Sequence, residues 1–221
     1  MAITIYMVRH GETYFNLTRR FQGHSDAPLT TKGIQDAHQA GQRLAKIAFN
    51  GAYSSDLTRA IHTARFILAE NQAQSPKEPV QLPDFREENF GSFEGVDSQV
   101  TVTYLNGFVQ PIYNDYSAMV RDIGMKAVMN LFHDHDPYQL AENYEHFYER
   151  IQHGFELLRQ AHHDGDQVLV VAHGTTIRAI ADMFGHSDLA LDSVKNGAVM
   201  QLSLTDTAAE VISFNDTETY F

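Results

Sequence analysis

The 221 residues contain no cysteine, and that one absence removes thiol nucleophiles, cysteine-ligated zinc, iron–sulfur clusters and disulfides together. Basic side chains are scarce as well: 16 Lys and Arg stand against 28 Asp and Glu, a formal net charge of −12. A phosphate backbone repels a chain this acidic unless its few cations cluster, so nucleic acid is not expected as a partner. Long apolar runs are missing too, and none approaches the roughly 20 residues that span a bilayer. The stretch Met1-Ala2-Ile3-Thr4-Ile5-Tyr6-Met7-Val8 has neither the basic start nor the cleavage site of a secretory leader. The expectation is a cytoplasmic protein without membrane association. P-loop, His-Glu-x-x-His and Gly-x-Ser-x-Gly patterns are also absent.

What is present reads as globular: 43% of residues are apolar and 20% charged. Ile3 to Val8 is a β-rich run. Apolar residues at Ile34, Ala37, Ala40, Leu44, Ala45, Ile47 and Ala48 follow a helical spacing, with Thr30 or Thr31 as N-cap. Gly51 to Ser54 is a short strand. Ser55 or Asp56 can cap the next helix, whose stripe is Leu57, Ala60, Ile61, Ala64, Ile67 and Leu68. Residues 71–79 form a loop broken by Pro76 and Pro79, and 80–82 a short strand. A helix over roughly 141–163 precedes the apolar strand 167–172, and 175–184 is helical again. Residues 199–204 and 211–214 read as a final antiparallel pair. This alternation predicts a three-layer α/β/α sandwich around a mostly parallel sheet. Residues 96–140 break the pattern and are too long for a loop, so they are read as a helical cap inserted into one domain spanning 1–221.

Three of these strands end in a reactive or cationic group. The first gives Arg9 and His10, the second leads to Arg59 in the opening turn of a helix, and the third gives His173 before Gly174. Ligands of open α/β sheets sit beyond the carboxyl ends of the strands, where helix N-termini point free N–H groups outward. Two arginines and two histidines at such ends make an anion site.

The same residues carry a family likeness. Met7-Val8-Arg9-His10-Gly11-Glu12-Thr13, with Asn16 and Arg20-Phe21-Gln22-Gly23, resembles the signature of the histidine phosphatase, or phosphoglycerate mutase-like, superfamily. The resemblance continues through Asp26 to Thr30, Ser54 to Ala60, Phe85 to Gly91 with Phe93-Glu94-Gly95, and Val170 to Gly174. It implies that His10 is the nucleophile and forms a phosphohistidine. Arg9, Arg59 and His173 then hold the phosphoryl oxygens, with Asn16, the Gln22-Gly23 turn and the Gly174 amide nearby. Glu87 falls on the family's proton donor, although neighbouring Glu88 takes that role if the register slips by one. Glu94 is read as structural. The chemistry is coherent in itself. A neutral imidazole attacks phosphorus, flanking cations favour the neutral form and stabilise the transferring group, and a buried glutamic acid protonates the leaving alkoxide. No metal or other cofactor is needed.

The resemblance favours a phosphatase acting on a small phosphomonoester. Mutases of the family typically carry Arg-His-Tyr-Gly after the acid, where this chain has Glu88-Asn89-Phe90-Gly91. The alternatives are mutase-type phosphoryl transfer and a non-catalytic phospholigand-binding module. From Val96 to Arg150 three basic residues (Arg121, Lys126, Arg150) face eight acidic ones, and 11 of the 24 aromatics lie between Phe90 and Arg150. That composition predicts a leaving group that is uncharged or apolar, although Phe108, Tyr113, Phe132 and Phe147 are read mainly as packing. His133-Asp134-His135-Asp136 lacks a third ligand at recognisable spacing, and no metal site is assigned to it.

Overall fold

The computed structural model describes residues 2–221. Its strands are β1 (Ala2–Arg9), β2 (Gly51–Ser54), β3 (Val80–Gln81), β4 (Gln167–Ala172), β5 (Val199–Thr205) and β6 (Ala209–Asp216). The helices are α1 (Tyr14–Leu17), α2 (Thr31–Arg43), α3 (Thr58–Glu70), α4 (Ser98–Leu105), α5 (Tyr116–Asp134), α6 (Tyr144–Ala161) and α7 (Gly174–Met183). One sheet runs in the order β3-β2-β4-β1-β5-β6. Its first four strands are parallel, and β5 and β6 join antiparallel at one edge.

Alternation along the central strands builds a core on each face. Ile3, Ile5 and Met7 of β1 share one cluster with Val168, Val170 and Ala172 of β4, and α6 and α7 cover them through Phe147, Ile151, Phe155, Ile177 and Ile180. Tyr6, Val8, Leu169 and Val171 face the other way, onto Ala40, Leu44, Ala60, Ala64 and Ile67 of the α2–α3 side. The result is the expected three-layer α/β arrangement. The helical segment 96–140 adds α4 and α5, whose buried Val102, Leu105, Met119, Val128 and Phe132 continue the α6–α7 core without a break. Phe132 meets Phe21, Phe90, Phe93 and Tyr116 at centroid distances of 5.1–5.9 Å, tying α5 to the loops around the strand ends. Gly124, at φ +81°, interrupts α5 with a kink that a side chain would strain.

Local chemistry departs from the sequence expectation in two places. The spacing that runs on to Ala48 does not extend α2, which stops at Arg43. The Asn71 side chain donates to the carbonyls of Leu44 and Ile47, holding that stretch in turns. Thr30, rather than Thr31, caps the other end by accepting from Gly33 N–H at 3.0 Å. Neither Ser55 nor Asp56 caps α3: Asp56 pairs with Arg86, and the Asp26 carboxylate takes the Thr58 N–H from 32 residues away. Phe221 donates its N–H to the Arg43 carbonyl at 2.9 Å and packs its ring on Tyr6 at 5.4 Å.

Candidate active site

Strand register brings the two histidines together. Arg9 lies opposite Ala172 in the β1–β4 ladder, and His10 N–H continues it to the Ala172 carbonyl at 3.1 Å. His10 and His173 are therefore the next residues out, side by side, with ring centroids 5.1 Å apart. Both are buried. Gly11 must be small here, because a Cβ would sit 2.0 Å from the Gly33 carbonyl oxygen at the start of α2.

His10 Nδ1 lies 2.8 Å from the Gly11 carbonyl, an acceptor only, so Nδ1 carries the proton and Nε2 keeps its lone pair. Burial, then the charges of Arg59 and Arg9, push the imidazole well below the ordinary histidine range. His173 is pushed the same way by burial, Arg59 and His10. The Ser55 hydroxyl meets His173 Nε2 at 2.7 Å; if the serine donates, Nδ1 bears the hydrogen. Arg9 is brought down to about 10, chiefly by burial, and stays cationic at neutral pH. Its terminal nitrogen donates to the Val194 carbonyl.

Arg59 is fully enclosed. Its terminal nitrogens donate to the carbonyls of Gly23 at 2.7 Å and Ser25 at 2.8 Å and pair with Asp26 at 3.1 Å. What remains unsatisfied is informative: Arg9 Nε, Arg59 Nε, Gln22 Nε2 and His173 Nδ1 are buried polar atoms without partners. Buried donors are almost always paired, so four orphans on residues grouped about one histidine mark a place for a ligand rich in acceptor oxygens.

A cavity of about 670 Å³ opens over Arg9, His10 and Gln22 of this cluster and is lined as well by Asn16, Glu87 and Gly174, whereas Arg59 and His173 are buried behind its wall. Glu87 is pinned at the N-terminus of α7. Its carboxylate accepts from Thr175 N–H at 2.9 Å, and from Thr176 N–H and hydroxyl at 2.8 and 3.0 Å. Glu88 does not line the cavity; its carboxyl is fully buried behind Tyr116, whose hydroxyl lies 3.3 Å from it. Gly23 also lies off the wall, since its N–H is taken by Glu94 at 3.0 Å. Glu94 accepts as well from the N–H groups of His24, Ser25 and Phe90, a structural clasp on the Gln22-Gly23 turn.

Several wall residues have no signal in the motif reading. Asn196 donates to the His10 carbonyl at 2.9 Å and to Asn16 Oδ1 at 3.3 Å. It precedes β5, whose antiparallel pairing with β1 delivers it to the end where His10 sits. Arg178 lies one turn beyond Gly174 on α7, a spacing that could have revealed it. Arg19 follows α1, next to the Arg20 that the motif block already held, and Arg121 comes from α5. The wall thus carries five arginines against Glu12, Glu87 and Asp115. An uncharged leaving group, predicted from the composition of 96–150, finds no support in this wall, because most of its cations come from outside that segment.

The His133–Asp136 tract serves the fold. His133 Nδ1 lies 2.7 Å from the Ala141 carbonyl, His135 stacks on Phe108 at 3.9 Å, and Asp136 gathers the N–H groups of Tyr138, Leu140 and Ala141.

The family model of the histidine phosphatase superfamily (branch 1) matches residues 5–217. The chain belongs to the histidine phosphatase superfamily. Among its relatives in this superfamily is a 2,3-bisphosphoglycerate-dependent phosphoglycerate mutase of Rhizobium etli, 32% identical over 80% of this chain and 78% of that protein. Another is the adenosylcobalamin/alpha-ribazole phosphatase of Escherichia coli, 29% identical over 82% of this chain and 79% of that protein. A crystal structure of phosphoglycerate mutase from Bacillus anthracis superposes with a TM-score of 0.86 at 31% identity, covering 98% of this chain and 94% of that one. Superfamily membership makes phosphoryl-transfer chemistry the frame for the histidine cluster.

Proposed function

We propose that the protein is a metal-independent phosphomonoesterase that hydrolyses small-molecule monophosphates through a phosphohistidine on His10, with 96–140 as a cap over the site of a single domain. The observation that carries this reading is the group of buried, unpartnered polar atoms on Arg9, Arg59, Gln22 and His173 beside a His10 whose proton affinity is pushed down.

In the first step His10 Nε2 attacks phosphorus, the bond to the leaving oxygen breaks, and Glu87 supplies the proton that turns the alkoxide into an alcohol. Arg9, Arg59, Gln22 and His173 bind the equatorial oxygens, where negative charge must be stabilised as the group transfers. Asn16 and the Gly174 end of α7 complete the wall, and Asn196 fixes the main chain of His10. In the second step the Glu87 carboxylate takes a proton from water, whose oxygen attacks phosphorus. The N–P bond breaks, and inorganic phosphate leaves with His10 neutral again. Guanidinium groups supply the electrostatics that a metal would otherwise provide.

Mutase chemistry shares the first step and returns the phosphoryl group to a second hydroxyl of the same metabolite. The names of two relatives favour it. Glu88-Asn89 favours hydrolysis, because these residues stand where the mutases carry Arg-His. Phosphate release from an aryl phosphate, in EDTA, is expected for the wild type and absent for His10→Ala. Turnover by that variant would exclude the nucleophile. Isomerisation of 3-phosphoglycerate with little free phosphate would favour the mutase.

A further inference from the structure

Glu88 has no part in the phosphoryl-transfer steps, yet it is the carboxyl most thoroughly removed from water in the site region, at 0% exposure. No cation among the described residues pairs with it. Its Oε2 accepts from the Tyr116 hydroxyl at 3.3 Å, and its Oε1 is buried without a partner. Tyr116 is both a wall of the cavity and the first residue of α5, and its ring packs on Phe21 and Phe132 at 5.7 and 5.9 Å. The charged groups facing Glu88 offer no relief. Glu87 adjoins it in the chain, and Glu142 and Glu94 approach from the segment before α6 and from the turn after Phe90. Arg178 of α7 lies over the Tyr116 ring at 5.6 Å. Arg150 of α6 is committed to Glu142 and to the carbonyls of Asp84, Arg86 and Glu87.

An ionised carboxylate in this place would be an uncompensated buried charge beside other acids, which folded proteins avoid by keeping the proton. We propose that Glu88 is a positioning residue that stays a neutral acid and, by accepting the Tyr116 hydroxyl, locks α5 onto the loop carrying Glu87. The wall over His10 is then held by a hydrogen bond that needs no counter-charge. Burial first, and then Glu87 and Glu142, raise the Glu88 carboxyl well above its ordinary range, in keeping with this geometry.

The test compares wild type, Glu88→Gln and Glu88→Ala. Glutamine preserves a neutral acceptor for Tyr116, and alanine removes it. At neutral pH the infrared difference spectrum of wild type against Glu88→Gln is expected to show the C=O band of a protonated carboxyl. The folded state then holds a proton that the unfolded state releases. Wild-type stability therefore falls relative to Glu88→Gln as pH rises above the unfolded carboxyl range. From about pH 5 upward the gap is expected to grow, by at most about tenfold in the unfolding equilibrium constant per pH unit, until the folded carboxyl itself ionises. Titrations of His10 and His173 are common to both proteins and cancel. A missing band, or a gap independent of pH, would overturn the neutral acid. KM for an aryl phosphate is expected to rise about tenfold in Glu88→Ala and to return to within about twofold in Glu88→Gln, with kcat moving less. An unchanged KM in Glu88→Ala would overturn the positioning role. The spectroscopic and stability readouts use no catalysis, so their failure is distinct from failure of the phosphohistidine route.

Discussion

In the proposed mechanism the reactivity of His10 rests on a hydrogen bond to its own neighbour. With Nδ1–H held by the Gly11 carbonyl, Nε2 is left as the lone pair, and burial with Arg59 and Arg9 keeps it unprotonated. Protonation of Nε2 would stop attack, so activity must fall as pH drops through the His10 pKa. That value is pushed well below 6.5, so the acid limb of kcat/KM is expected well below the normal histidine range. A limb centred on the ordinary value would show that the imidazole is not desolvated as described. The motif residues at this scale were legible in sequence, because Arg9, His10, Arg59 and His173 all sit at or just past strand ends. The resemblance placed Glu87 on the family's proton donor and left Glu88 as the alternative if the register slips by one. Their distinction comes from the Thr175 and Thr176 N–H groups, which reach Glu87 from 88 and 89 residues away.

At the scale of elements, the loop that presents Glu87 is held less by its own turns than by Arg150 of α6. That guanidinium donates to the Asp84 and Arg86 carbonyls at 2.8 Å and to Glu87 at 2.9 Å, pairs with Glu142 at 2.7 Å, and lies 4.5 Å over the Phe147 ring. Arg150→Met keeps much of the packing but strands the Asp84 and Glu87 carbonyls and leaves Glu142 without its cation, while the Arg86 carbonyl keeps the Thr176 hydroxyl. A loss of about 2–4 kcal/mol is expected in denaturant unfolding, with kcat reduced because Glu87 is no longer held. A stability within about 0.5 kcal/mol of wild type would show that the loop is braced elsewhere. Helix periodicity located α2, α3, α6 and α7 well, since each buries one apolar stripe. It overran the end of α2 and misplaced the cap of α3, because Asn71 and Asp26 act there across tens of residues. Local spacing has no record of such partners.

For the whole molecule, topology does the assembling. Parallel β1 and β4 put two histidines side by side at the carboxyl ends of the central strands, and antiparallel β5 returns the chain so that Asn196 arrives beside them. The first of these was readable from alternating strands and helices. The second required knowing which strand β5 pairs with. Charge tells a similar story: a protein of net charge −12 gathers five arginines into one cavity, and only Arg121 belongs to the segment whose composition suggested an uncharged leaving group. Cavity walls are built from several elements, so the composition of one of them does not define the ligand. No helix among the described residues is long and apolar enough to cross a membrane. The phosphohistidine route stands or falls on a covalent intermediate. Turnover of an aryl phosphate quenched rapidly in alkali, followed by mass analysis of the peptides, is expected to place a phosphoryl group on His10 and on no other residue. Steady turnover with His10 unmodified at every time point, or a phosphoryl group on a different side chain, would contradict it.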